Sequence, residues 1–305
     1  MSAHTRIVRL LAPLAMASAV LTAAPADVLA QAAPAPHWVG TWGASPSDPL
    51  AGAMPATAAY GNQTLREIAH LSIGGGTICI RLSNALGTTA LVVGGVHVAR
   101  SAGNDAIVPR SDRPLTFSGQ PSITIPVGAQ AISDPVDLAV AAQSDLAVSI
   151  YLPQQTGPLT QHSLAVQTSY VAAGDETGSA RLDSPATIQV RPLLSAVEVA
   201  GAAQAVAVVT FGDSITDGYH STVDLDRRWP DDFSRRLQAR YGNRVGVVNE
   251  GISGNRVLNE NAGPNAQERL DRDVLAQPGV KYVTLLEGIN DIGFSQIAGY
   301  AGQAV

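Results

Sequence analysis

The sequence predicts an α/β protein, with an all-β sandwich or jelly roll over residues 37–200 and a layered parallel α/β unit over 201–305. Three observations lead there. From Trp38 to about Val199, short apolar runs are separated by closely spaced Gly, Pro and Asn turns, the texture of a sandwich or jelly roll. After Gly201, apolar runs alternate with helix-period segments, which means a parallel sheet with right-handed crossovers. Each apolar run of that second region ends in a polar segment containing glycine.

Taken in order, residues 1–30 read as an export signal. Arg6 and Arg9 form a basic start, Leu10–Ala24 is apolar, and small residues follow, with cleavage expected after Ala24 or Ala30. A membrane anchor is the weaker alternative, because Pro13, Pro25 and the many alanines make a poor spanning helix. Residues 31–36 form an Ala/Pro linker. Strands are expected at Glu67–Ile73, Thr77–Leu82, Leu91–Arg100, Ser122–Ile125, Asp145–Leu152, Leu164–Val171 and Thr187–Val190. In Asp145–Tyr151, Leu146, Val148 and Ile150 alternate with smaller or polar residues, as in a strand with one buried face.

The second region opens with the strand Val206–Phe211, an apolar run short enough to be buried on both faces. Trp229-Pro230-Asp231 starts a helix, with Pro in the first turn and acidic residues at the positive end. Phe233, Leu237 and Tyr241 recur every four residues as its apolar stripe, and Gly242 ends it. Val245–Asn249 is the second strand. A second helix is expected over about Ala266–Ala276, with Leu270 and Val274 on one face and Pro278-Gly279 as its stop. Val280–Leu286 is the third strand.

Composition sets the bounds. A chain of 305 residues fits about two domains. Apolar content of 46% with 14% charged residues belongs to a globular protein able to bury a large core. A net charge of -6 without a basic stripe argues against a nucleic-acid partner. The single cysteine, Cys79, excludes an intrachain disulfide framework and reads as a small buried hydrophobe rather than a reactive thiol. No further long apolar run follows the signal, so no stable membrane insertion is expected after cleavage, and the product is read as secreted or periplasmic. Trp38 and Trp42 read as core anchors rather than ligand platforms. The sequence has neither an HExxH nor a P-loop pattern, and no metal or organic cofactor is expected. Oligomeric state is left open.

The chemistry sits at the three strand ends. The first gives Gly212-Asp213-Ser214. The second gives Asn249-Glu250-Gly251-Ile252-Ser253-Gly254-Asn255, and the third gives Gly288-Ile289-Asn290-Asp291. Parallel strands deliver all three to one sheet edge, where open α/β sheets bind ligands. They supply a nucleophile candidate in Ser214, an unobstructed backbone N–H at Gly254 and a side-chain amide at Asn290. Those are the parts needed to hold the oxyanion of an acyl-transfer intermediate. By itself a Gly-Asp-Ser tripeptide is more often a turn that caps the next helix. The other two motifs, in order and each at a strand end, are what favour chemistry.

At these residues the sequence resembles the SGNH/GDSL hydrolase superfamily. Gly212-Asp213-Ser214-Ile215-Thr216-Asp217-Gly218 looks like its first block. Gly254 within Gly251-Ile252-Ser253-Gly254-Asn255 looks like its second, and Gly288-Ile289-Asn290-Asp291 like its third. The resemblance covers about Val206–Gly293. Thr216 stands where the second glycine of a G-x-S-x-G elbow would be, so the α/β-hydrolase pattern is not met. The N-terminal part resembles the β-rich domain that precedes some secreted GDSL-type esterases, as in Trp38–Pro46 and Ile80–Gly87. The resemblance implies an SGNH-type three-layer, flavodoxin-like parallel sheet. It makes Ser214 the nucleophile, with its own N–H, the Gly254 N–H and the Asn290 amide as oxyanion hole. It implies small-molecule, glycan or lipid carboxylic esters as substrates, hydrolysed through an acyl-serine.

One departure stands out. The family's last block carries an Asp and, three residues on, the His that serves as general base. No such block follows Asn290, and no histidine follows His220. A chain cut before that block, and weak or inactive for lack of a base, is therefore expected. Asp217 and His220 have the same spacing but lie within the first block's own turn. His37, His70, His97 and His162 are read as surface or hydrogen-bonded structural residues, and Asp213 and Asp291 as caps. Two alternatives stay open, namely a non-catalytic glycan-binding protein with a degenerate hydrolase unit and an acyltransferase that uses the same serine.

Overall fold

The computed structural model describes residues 36–47, 58–295 and 297. The expected signal (1–30), the linker before Pro36 and the tail beyond 297 lie outside the described residues. Among the described residues no helix is long and apolar enough to cross a membrane.

Two large antiparallel sheets, beside two small two-stranded ones, dominate the β-rich part. One runs Trp38–Gly43, Leu194–Ala200, Gly75–Ser83, Val136–Val140, with Gln130–Ile132 also on Gly75–Ser83. The other runs Ala186–Ile188, Ser169–Ala173, Gln63–Leu71, Ser144–Leu152, Gly95–Gly103, Ala106–Ile107. Their inner faces share one core, with Leu65, Ala69 and Leu71 of one and Ile78, Ile80 and Leu82 of the other buried in the same cluster.

Several strands differ from the sequence expectation. Leu91–Arg100 is two strands that part at Gly94. Leu91–Val93 pairs with Ile123–Ile125, and Gly95–Gly103 pairs with Ser144–Leu152. Residues 164–168 are not strand. Val166 takes φ +50°, and the Asp224 carboxylate holds the Thr168 N–H and hydroxyl, so this stretch ties to the 220–228 loop instead of the sheet. Ser144–Leu152 is buried on both faces rather than one. Arg66 is the reason, because it lies fully buried on the outer face. It donates to Ser149 Oγ at 2.8 Å, to the Asp105 carbonyl at 2.6 Å and to the Ser179 carbonyl at 2.8 Å, so it draws two loops across the sheet. Cys79 is buried, as read.

The α/β part follows the expected order. Its strands are Val206–Gly212, Val245–Gly251 and Val280–Leu286, with the first between the other two and parallel to both. The helices are α1 (Ser214–Asp217), α2 (Trp229–Tyr241), α3 (Ala266–Leu270) and α4 (Ile289–Phe294). The buried positions of α2 are Pro230 and Ser234; the expected stripe is only half-covered, and Tyr241 is exposed. Gln143 of the β-rich part donates to Ser234 Oγ at 2.8 Å, which turns that polar position inward. The expected second helix is α3 followed by a π-turn over Asp271–Leu275. That change of pitch puts Leu270 out to solvent while Val274 stays buried.

A boundary near residue 200 divides antiparallel from parallel sheet, yet the described residues from Pro36 onward form one compact unit with a common core. Close approach is achieved by glycines. A Cβ on Gly40 would sit 2.8 Å from Val248 Cγ2, and one on Gly246 would strike the Gly40 carbonyl. Across this contact the Gly40 N–H donates to the Pro278 carbonyl at 2.9 Å, and Ser45 Oγ donates to the buried Glu250 carboxylate at 2.5 Å.

Candidate active site

Register alone brings the three motifs to one edge. Gly212 pairs with Gly251 on one side and with Leu286 on the other. Two bonds extend that register past the strand ends, from the Asp213 N–H to the Leu286 carbonyl (3.2 Å) and from the Ile252 N–H to the Gly212 carbonyl (2.9 Å). Gly212 must be glycine, because a Cβ there would collide with Thr216 and the Leu286 carbonyl.

Ser214 is the first residue of α1. Asp213 caps it in extended geometry, its carboxylate accepting from the Ile215 N–H at 3.0 Å. Burial pushes the Asp213 carboxyl above its ordinary range, against that hydrogen bond. Gly218, at φ +109°, ends the helix after one turn. Ser214 is half-buried, and its hydroxyl has no hydrogen-bond partner among the described residues.

The second motif is locked under α1. A Cβ on Gly251 would run into the Asp217 backbone. Asn249 Nδ2 donates to the Thr216 carbonyl at 2.9 Å, and the Ser253 N–H donates to Asp217 Oδ2 at 2.7 Å. Gly254 follows at φ +85°, buried, with no acceptor for its N–H among the described residues.

The third motif docks on the second. Gly288, at φ +109°, turns the chain into α4. Asn290 Nδ2 then donates to the Asn255 carbonyl at 2.8 Å, one residue past Gly254. Asp291 is buried and accepts from the Val257 N–H at about 3.0 Å. So Asn290 is held beside Gly254 with one amide hydrogen still uncommitted, while the Asp213 and Asp291 carboxylates accept from backbone N–H groups.

No histidine among the described residues hydrogen-bonds to Ser214. His162 does reach the first motif, but at Asp217. Its Nε2 lies 3.0 Å from Asp217 Oδ1 and its Nδ1 lies 2.8 Å from the Ser45 carbonyl. Burial disfavours charge on His162, but Asp217 and the Ser45 carbonyl outweigh it and raise the pKa. The cavity beside this pair, lined by Asn249, Gly251 and Arg191, holds about 10 Å³, the scale of one water. His220 is exposed, in left-handed backbone, with its ring against Tyr219.

One cluster elsewhere has metal-ligand chemistry. His70 Nδ1 lies 2.7 Å from Asp145 Oδ1 and 3.4 Å from Asp226 Oδ2. Both carboxylates point at the same nitrogen, and burial of His70 is outweighed by them, so its pKa is raised. A protonated imidazole satisfies this arrangement as an ion pair.

Sequence reasoning missed Asn255 as more than a motif letter. It accepts from Arg269 Nε (2.9 Å) and Asn290 Nδ2, and it donates to the Pro264 carbonyl at 2.9 Å. It also missed Glu287. That side chain is buried with no hydrogen bond to either oxygen, 3.7 Å from Arg269. Burial first, then Asp213 and Asp291, push its pKa to about 8 against the pull of Arg269.

Comparison with known proteins gives two findings. Residues 210–304 match the model of the GDSL-like lipase/acylhydrolase family. Among solved structures, the SGNH-hydrolase family esterase AlinE4 is similar at 22% identity over 30% of this chain, with a TM-score of 0.25. The match spans 44% of that esterase's chain. No curated protein matches.

Proposed function

Because residues 210–304 match the GDSL-like lipase/acylhydrolase family model, we propose that this protein is an ester hydrolase of the SGNH/GDSL type with Ser214 as its nucleophile. Ser214 Oγ attacks the ester carbonyl. The Ser214 and Gly254 N–H groups and the free hydrogen of the Asn290 amide take the oxyanion. The alcohol leaves, and water releases the acid from the acyl-serine. The observation that carries this reading is the 2.8 Å bond from Asn290 Nδ2 to the Asn255 carbonyl, which seats an amide beside Gly254 at the edge that also holds Ser214. Each donor of such a hole is typically worth ~100–1000-fold in rate, roughly 3–4 kcal/mol.

The strand order second–first–third agrees with the start of the flavodoxin-like order 2-1-3-4-5, and this supports the finer layout expected above. With no imidazole on Ser214 among the described residues, deprotonation falls to water, and this chain is a slow esterase towards simple acyl esters. The test is hydrolysis of 4-nitrophenyl acetate by the 305-residue chain and by Ser214→Ala, with and without added imidazole as a diffusible base. The expected result is a slow serine-dependent rate that imidazole raises in the wild type beyond its own background. Equal rates for wild type and Ser214→Ala under both conditions would overturn the assignment.

A further inference from the structure

Arg269 lies where the three motifs meet. The residue is 1% exposed, and its guanidinium sits over the Phe211 ring, with Cζ 3.9 Å from the ring centroid. Nη2 donates to the Gly212 carbonyl at 3.0 Å, two residues before Ser214. Nη1 donates to the Glu250 carbonyl at 2.6 Å, and Nε donates to Asn255 Oδ1 at 2.9 Å, so the second motif is held on both sides of Gly254. Glu287, three residues before Asn290, lies 3.7 Å from Nη2. Nη1 also reaches Ser45 Oγ of the β-rich part at 3.1 Å.

A buried cation is costly to desolvate and is retained only where its partners are well placed. Here Asp273, Glu287 and Glu250 surround it. What arginine alone supplies is a planar fork of donors with fixed angles between them. A fork spanning the Gly212 carbonyl, the Glu250 carbonyl and Asn255 Oδ1 fixes the relative height of the two strand ends that carry Ser214 and Gly254, and Asn290 is tied to the second of them through the Asn255 carbonyl. We propose that Arg269 is a positioning residue, setting the spacing of Ser214, Gly254 and Asn290 from beneath the sheet edge without touching substrate. The catalytic consequence rests on the esterase reading, whereas the structural one does not.

The experiment compares the 305-residue wild type with Arg269→Lys and Arg269→Met by two readouts. One is amide hydrogen exchange, with the Ser144–Leu152 strand as internal reference. The other is kcat and KM for 4-nitrophenyl acetate, corrected with Ser214→Ala. Arg269→Lys keeps the charge and loses the fork. Expected are exchange at least about tenfold faster over residues 250–256 and 286–291 with the reference unchanged, and a kcat lowered about 10–100-fold at nearly constant KM, the size that small misplacements cost. Unchanged exchange in both segments in a folded Arg269→Lys overturns the proposal. So does failure of both variants to fold, since Arg269 would then be a general folding residue. If wild type and Ser214→Ala hydrolyse ester equally, the esterase reading falls, and exchange alone still decides whether Arg269 sets the spacing.

Discussion

At the scale of single residues, the buried charges carry the clearest consequences. Glu67 is fully buried in the β-rich core, and neither carboxylate oxygen has a hydrogen bond. Arg191 Nη1 lies 3.6 Å away, too long for a good hydrogen bond, and is itself stacked 4.6 Å from the Trp42 ring centroid. Burial pushes Glu67 up to about 8 against the pull of Arg191, and burial lowers Arg191 to about 10. An unfolded glutamate titrates near about 4.3. Between that value and about 8 the native state holds a proton that the unfolded chain has released. The stability tied to that proton is complete below the lower value and is lost as pH rises through the upper one. His70, His162 and Glu287 are raised as well and act in the same sense. The melting temperature is therefore expected to fall steadily from pH 5 to pH 8.5, and Glu67→Gln to flatten that slope. Parallel slopes for the two proteins in circular-dichroism melts would contradict this origin. Ser214, Gly254 and Asn290 could be singled out as candidates from the sequence because each sits in a short local motif. Arg269, His162 and Glu67 could not, because their partners lie far off in the chain; Ser45 and Arg269 are 224 positions apart.

At the scale of elements, the parallel sheet is uneven. The central strand, Val206–Gly212, is buried almost throughout, as its unbroken apolar run implied. Val280–Leu286 is an edge strand among the described residues, with Leu285 71% and Tyr282 57% exposed, although apart from Lys281 its sequence is also mostly apolar. Nothing among the described residues pairs with its outer side. An exposed apolar edge of this kind invites self-association. The 305-residue chain is expected to bind an apolar dye and to sediment as more than monomer, and Leu285→Lys to reduce both. A dye-silent, monomeric wild type would count against this view of the edge. The period of hydrophobic residues made the strand–helix alternation legible. It could not show which strand lies at the edge, because periodicity reports the faces of an element and not its neighbours. It also failed where side chains intervene. The turn chemistry of Val166 shortened one expected strand and the buried Arg66 covered the outer face of another, and neither signal is a matter of period.

At the scale of the whole molecule, the β-rich and α/β parts share one core, and the β-rich part braces two of the candidate motifs. The first motif rests on Asp217, which is paired to His162 of the β-rich part, and the second rests on Glu250, bonded to Ser45. Composition marked the change of texture near residue 200 but not the glycine contacts across it, since Gly40 and Gly246 meet only in space. The central claim is that a hydroxyl and three donors surround one point at the sheet edge. The most direct test is the crystal structure of the chain phosphonylated by a small aryl phosphonate. The account predicts phosphorus on Ser214 Oγ, with one phosphonyl oxygen about 2.7–3.1 Å from Ser214 N, Gly254 N and Asn290 Nδ2. An adduct on another residue, or an oxygen turned to solvent away from Gly254 and Asn290, would contradict it.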